Sequence, residues 1–169
     1  MGVRLLKNNN KTPNTSNQTA KVLMVCLGNI CRSPTAEAVL RQQAAKAGVA
    51  LQIDSAGTYG GHAGALPDAR SRAAGELRGY DFSGIYSRQV QVDDFAQFDL
   101  ILAADNSNLN NLKQLCPAEH QHKLRLLLSF SQQATQEVPD PYYGGEQGFE
   151  QVLDLVESAC EGILAQYTQ

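Results

Sequence analysis

Cys26, Arg32 and Ser33 fall in the run Cys-Leu-Gly-Asn-Ile-Cys-Arg-Ser-Pro at residues 26–34. A cysteine and an arginine with five residues between them can address one tetrahedral dianion, the thiolate from below and the planar guanidinium along two of its oxygens. Four cysteines and eight arginines in 169 residues lead to about 0.2 chance matches to that spacing, and requiring Ser or Thr next lowers this to about 0.02. Gly28 lets the backbone come close to a ligand, and Asn29 tolerates the left-handed conformation of a tight loop. Successive N–H groups between residues 27 and 33 can then line an anion cradle at a helix N-terminus. Pro34 suits the first helical turn, where its missing N–H leaves nothing unpaired. The donors that would hold phosphate also favour an ionised sulfur at Cys26, with Ser33 a candidate donor to it. The chemistry implied is in-line attack of a thiolate on phosphorus.

Expelling an aryl or alkyl oxygen from phosphorus calls for a proton donor. The run Val-Pro-Asp-Pro-Tyr-Tyr-Gly-Gly at residues 138–145 brackets Asp140 between two prolines, which push the preceding residues into extended conformation. Taken alone, Asp-Pro reads first as a loop signal, with Asp140 as a candidate acid the second reading.

Elements must hold these two segments together. Val22–Cys26 is a short apolar run, as expected of a strand buried on both faces. A helix is expected over Thr35–Ala47, ended by Gly48. A strand over Val49–Ser55 and a helix over Asp68–Arg78 closed by Gly79 follow. Next come a buried strand over Phe98–Ala104, a helix over Ser107–Leu115 stopped near Pro117, and a strand over Leu124–Leu128. The last element, Gln147–Tyr167, sets Phe149, Val152, Val156, Ala159 and Ile163 on one helical face. This alternation predicts an α/β fold, a parallel sheet with helices on both faces, and a phosphate-binding loop after the first strand, where ligands bind in open α/β sheets.

Composition narrows the classes. An apolar fraction of 43% in 169 residues supports one domain with a core. The net charge of −3 offers no basic footprint for nucleic acid, and no run reaches the ~20 apolar residues of a membrane span. Four cysteines without a secretory signal do not make a disulfide scaffold; the missing signal and a thiolate that needs reducing conditions point to a cytoplasmic address, with an effector exported without a signal as the alternative. Residues 1–20 are polar and read as a flexible N-terminal extension, with the domain at 21–169.

The residues 25–34 and 140–144 closely resemble the low-molecular-weight protein tyrosine phosphatases. The likeness extends to Asp54-Ser-Ala-Gly-Thr58, Pro67-Asp-Ala-Arg70, Ser87-Arg-Gln89 and Asp99–Asn108, and spans about residues 20–167. It implies a four-stranded parallel sheet and a phosphatase that works without metal or cofactor through a phosphocysteine. Cys26 would be the nucleophile, Arg32 the phosphate clamp and Asp140 the acid and then the base. Leu27, Gly28, Asn29, Ile30, Cys31 and Ser33 would surround the substrate, with Tyr142 and Tyr143 beyond. Asn29 and Ser55 would hold the loop in shape. Cys31 would form a reversible disulfide with Cys26 under oxidation; the alternative is a small packing residue. Phosphotyrosine proteins would be substrates, a tyrosine kinase a candidate partner, and the chain a monomer or weak dimer.

Two departures stand out. Relatives often carry a Trp after the Ser-Ala-Gly-Thr segment, whereas this chain has none; Tyr59, His62 or the 140s loop alone could wall the slot instead. A His that often precedes the Arg-Gln pair is Ile85 here, which leaves the loop's support open. Among rivals, a phosphoarginine phosphatase would place Thr at Ile30, and an apolar residue there suits an aromatic leaving group. An arsenate reductase would need further paired cysteines, but Cys116 and Cys160 fall in different elements. Cys116, His120 and His122 fit no common zinc spacing, and a non-catalytic phosphate-binding domain would not need Asp140.

Overall fold

The computed structural model describes residues 19–168. Residues 1–18, most of the expected extension, and Gln169 lie outside the described residues. Four parallel strands form the sheet: β1 (Ala20–Cys26), β2 (Leu51–Gly57), β3 (Leu100–Ala103) and β4 (Leu124–Leu126). Their order is β2-β1-β3-β4, so the chain runs out from β1 to one side and then returns to build the other. Such a reversal opens a crevice beyond the carboxyl ends of the two central strands. Cys26 ends β1 at that crevice, and Asp105 follows β3 into it.

Alternation along β1 divides the core into two layers. Val22, Met24 and Cys26 belong to a cluster with Ala36, Val39 and Leu40 of α1 (Arg32–Ala47) and with Val152, Val156 and Ile163 of α5 (Glu146–Tyr167). Leu23 and Val25 belong to a second cluster. It includes Phe95 of α3 (Val92–Gln97) and Leu112 of α4 (Asn106–Leu115). A further helix, α2 (Ala69–Leu77), is capped by Asp68, which accepts from the Arg70 N–H at 2.8 Å. Gly48 ends α1 in the left-handed conformation at φ 68°, as the sequence leads one to expect.

Several boundaries differ from the expectation. β1 starts at Ala20, inside the stretch read as extension, because Ala20 and Lys21 pair with Leu51 and Gln52. α1 starts at Arg32 rather than Thr35, so the arginine is already held by helical backbone. β2 runs from Leu51 to Gly57 instead of 49–55, following the β1 register. The six residues of α3 were not expected; they seat Phe95, fully buried, under the second layer. The last strand stops at Leu126, and Leu127–Phe130 turns into a 3-10 helix. A strand would send Leu127 and Leu128 to opposite faces, whereas the turn buries both in the α5 layer.

Candidate active site

The loop between β1 and α1 turns its carbonyls outward. Tyr59 N–H reaches the Leu27 oxygen at 2.9 Å, and Asp68 N–H reaches that of Ile30 at 2.7 Å. The Ser87 hydroxyl donates to the Gly28 oxygen at 2.9 Å, and Thr35 donates to that of Cys31 through its hydroxyl at 2.7 Å. In a trans peptide the carbonyl and the next N–H point in opposite directions. The amides of Gly28, Asn29, Cys31 and Arg32 therefore face the inside of the loop, as an anion cradle requires.

Asn29 makes the curvature possible. It is the non-glycine residue with positive φ among the described residues, at 56°, and it is fully buried. Its Nδ2 donates to Ser33 Oγ at 2.8 Å and to Ser55 Oγ at 2.9 Å, while Oδ1 accepts from Arg88 N–H at 3.0 Å. Ser55 in turn donates to the buried Glu37 carboxylate at 2.6 Å. With Asn29 donating to it, the Ser33 hydroxyl is free to direct its own proton at Cys26 Sγ, 3.0 Å away. The order of donors runs from the amide to the sulfur.

Arg32 is 3% exposed, and its Nη1 donates to Asp105 Oδ2 at 2.7 Å and to the Val138 carbonyl at 3.1 Å. Burial works against its charge, but the Cys26 sulfur and the Asp105 carboxylate outweigh that and raise its hold on the proton. Its Nη2 lies 3.6 Å from Asp140 Oδ2, which joins the segment at 138–143 to the loop. Asp140 Oδ1 accepts from Tyr142 N–H at 3.0 Å, so the carboxylate is oriented by its own turn.

Cys26, Leu27, Gly28, Ile30, Cys31, Arg32, Asp140, Tyr142 and Tyr143 line one pocket of about 290 Å³, with Tyr59 and His62 on its rim. That volume is at the small end of ligand sites and suits a single aryl phosphate. Tyr142 and Tyr143 meet edge to face with centroids 4.9 Å apart. Asn29, Ser33 and Ser55 stand behind the loop and hold it up. Cys31 is a free, buried thiol, pushed up to about 12 chiefly by burial and further by Asp68, against the hydroxyl of Ser71. Burial thus holds the Cys31 thiol protonated.

Comparisons with known proteins fit this geometry. Residues 21–169 match the model of the low molecular weight phosphotyrosine protein phosphatases. A low molecular weight protein-tyrosine-phosphatase of Streptomyces coelicolor is 44% identical over 153 residues, covering 87% of this chain and 93% of its own. One from Bacillus subtilis is 40% identical over 147 residues, covering 85% and 93%. A crystal structure of a protein tyrosine phosphatase from Entamoeba histolytica superposes with a TM-score of 0.85 at 44% identity, covering 88% of this chain and 96% of the other. This chain belongs to the low-molecular-weight protein-tyrosine-phosphatase family.

Within that family the support of the loop takes a particular form here. Ile85, at the position where a His was expected, is 2% exposed and packs in the α1 and α5 layer. Support comes instead from Ser87, Arg88 and the Glu37–Ser55 pair. Arg88 is itself clamped by Asp54 and by Asp94 of α3. Sequence reasoning missed Asp105, Glu37 and Asp94. Asp105 carried a signal, an acidic residue just past a central strand of the sheet, although it reads equally as the cap of α4. Cys116 and Cys160 lie in opposite core layers, so no vicinal pair exists for an arsenate reductase. Among the described residues no group of three His, Cys, Asp or Glu side chains is placed to hold a metal ion. No described helix is long and apolar enough to cross a membrane.

Proposed function

We propose that this chain hydrolyses phosphotyrosine, with Cys26 as nucleophile, Arg32 as phosphate clamp and Asp140 as general acid and then base. The observation that carries the reading is one pocket in which the Cys26 sulfur, the inward amides of the loop, the Arg32 guanidinium and the Asp140 carboxyl all converge. The phosphoryl oxygens would sit on the amides and on Arg32, placing phosphorus above the sulfur. Sulfur forms its bond to phosphorus as the aryl oxygen departs in line, taking the proton of Asp140. Water then attacks the phosphocysteine, Asp140 accepts its proton, and the thiolate is restored as inorganic phosphate leaves. Ser33 stabilises sulfur whenever it carries negative charge, at both ends of the cycle.

The aromatic and apolar lining, Leu27, Ile30, Tyr142 and Tyr143, supports phosphotyrosine over phosphoarginine or phosphoserine. Phosphotyrosine proteins would be the substrates and a tyrosine kinase the opposing activity, with the chain acting in the cytoplasm as a monomer or weak dimer. Under oxidation, peroxide would convert the Cys26 thiolate to a sulfenic acid. The Cys31 thiol would then displace water from it to form a disulfide. The test is Cys26→Ser: turnover of p-nitrophenyl phosphate is abolished while vanadate still binds. Retained turnover overturns the assignment, and parallel assays on phosphotyrosine, phosphoserine and phosphoarginine peptides decide the substrate class.

A further inference from the structure

Asp140 stands on an exposed turn, its side chain 42% accessible, and an acid that must meet one leaving oxygen needs something to aim it. Val138 and Pro141 are buried on either side of it, and the Val138 N–H donates to the Ala104 carbonyl at 2.8 Å, which fixes the backbone of the turn. The carboxyl takes its direction from the Tyr142 N–H. Tyr142 is itself an exposed residue, so the core does not enclose its ring. The ring meets Tyr143, which is 94% exposed, on one side. It also meets the Arg70 guanidinium, whose central carbon stands 5.4 Å from the ring centroid.

Arg70 comes from the first turn of α2, and its own place is well determined. Its Nε and Nη2 form a fork on the two Asp68 oxygens, at 3.1 and 3.0 Å. Asp68 caps that helix and gives its N–H to the Ile30 carbonyl of the phosphate loop at 2.7 Å. The same guanidinium carbon lies 4.8 Å from the ring centroid of Phe149, a buried residue of α5. A planar cation gripped along its edge by a carboxylate keeps its faces for aromatic rings, and Tyr142 and Phe149 are both in range. A continuous path therefore runs from Ile30 through Asp68, Arg70 and Tyr142 to Asp140.

We infer that Arg70 is a positioning residue for the general acid: it ties the Tyr142 ring, and through the Tyr142 N–H the Asp140 carboxyl, to the phosphate loop. The inference rests on the phosphatase reading and adds to it the group that holds the acid in register with the bound phosphate. Loss of Arg70 leaves the cradle intact, because the hydrogen bonds and ion pairs of Cys26 and Arg32 do not involve it. It loosens the turn that carries Asp140.

The experiment measures kcat/KM for p-nitrophenyl phosphate and phenyl phosphate, together with inhibition by inorganic phosphate. It uses wild type, Arg70→Ala, Arg70→Lys, Asp140→Ala and the Arg70→Ala/Asp140→Ala double variant. Phenolate is the poorer leaving group of the two, so its departure depends more on the acid. Arg70→Ala is expected to lower kcat/KM about three- to tenfold for phenyl phosphate, as the loss of one or two exposed cation–π contacts implies. For p-nitrophenyl phosphate the loss stays below about twofold. Arg70→Lys falls with Arg70→Ala, because an ammonium cannot fork onto both Asp68 oxygens. Phosphate inhibition keeps its wild-type value in both, and Arg70→Ala costs nothing further once Asp140 is alanine, since the two changes act through the same proton transfer. Equal losses on the two substrates, additive losses in the double variant, a weakened phosphate inhibition, or full activity in either Arg70 variant overturns the inference. Failure of the wild type to turn over p-nitrophenyl phosphate, or persistence of turnover in Cys26→Ser, would instead sink the phosphatase reading.

Discussion

Asp105→Asn isolates what the carboxylate behind Arg32 contributes. The wild-type side chain performs two tasks: Oδ2 accepts from Arg32 Nη1 at 2.7 Å, and Oδ1 caps α4 by accepting from Asn108 N–H at 2.8 Å. Asparagine keeps an oxygen for the cap but loses the charge opposite a guanidinium whose side chain is 4% exposed. A hydrogen bond between charged partners, here a buried guanidinium and a partly buried carboxylate, contributes about 1.5–3 kcal/mol. If that energy serves to aim Arg32 at phosphate, kcat/KM falls about 10- to 100-fold, and inhibition by inorganic phosphate weakens in proportion. Asp105→Asn should lower Tm by weakening the pairing of the buried guanidinium, and Asp105→Ala should fall further because it also loses the cap, about 1 kcal/mol, or a few more degrees of Tm in a domain of this size. Steady-state kinetics with p-nitrophenyl phosphate and thermal melts on both variants separate the two tasks. Wild-type kcat/KM and phosphate inhibition in Asp105→Asn would refute the reasoning, since Arg32 would then be held in place without its partner.

Asp140→Ala is expected to lower the rate about 10²- to 10⁴-fold for poor leaving groups and less for good ones; a leaving-group series with uniform loss would remove Asp140 as the acid. Glu37 is buried, and its carboxyl is pushed up from 4.5 to about 7, chiefly by desolvation, against the pull of Ser55 and Arg41. The folded protein thus binds this proton more tightly than the unfolded chain, so the group's stabilising contribution is full below 4.5 and lost as pH rises through about 7. Melts of wild type and Glu37→Gln should accordingly diverge between pH 5 and 8, with the wild type losing up to about 3 kcal/mol relative to the variant; a constant difference would contradict this. Peroxide-treated Cys31→Ser should recover far less activity on addition of dithiothreitol than treated wild type, because no neighbouring thiol intercepts the sulfenic acid. Equal recovery would make Cys31 a packing residue.

The fold was largely legible along the chain because both of its periodic signals are strong. The run Val22–Cys26 and the apolar face of Gln147–Tyr167 state a buried strand and a core-facing helix without help from the rest. The failures cluster where tertiary contact overrides local pattern. Leu124–Leu128 reads as one strand, but burying Leu127 and Leu128 in the same layer needs a turn. Val92–Gln97 is too short to show a period, and it is helical because Asp94 must meet Arg88 and Phe95 must fill the second layer. Among site residues, Asn29 and Ser55 were identified through the loop motif and its resemblance, and their partner Glu37 was not, since on α1 it looks like any helical glutamate.

By itself the order of residues determined which groups could do the chemistry. Cys26, Arg32 and Ser33 are covalently close, and a loop of seven residues after a strand has few ways to arrange them. Only the tertiary structure decided what stands around them. Asp105, at the carboxyl end of β3, and Asp94 of α3 come from segments distant from the loop in the chain and meet Arg32 and Arg88 through the packing around β1 and β3. Spacing along a chain carries no record of such meetings, because they are set by which faces of the sheet must be covered and not by neighbours in sequence.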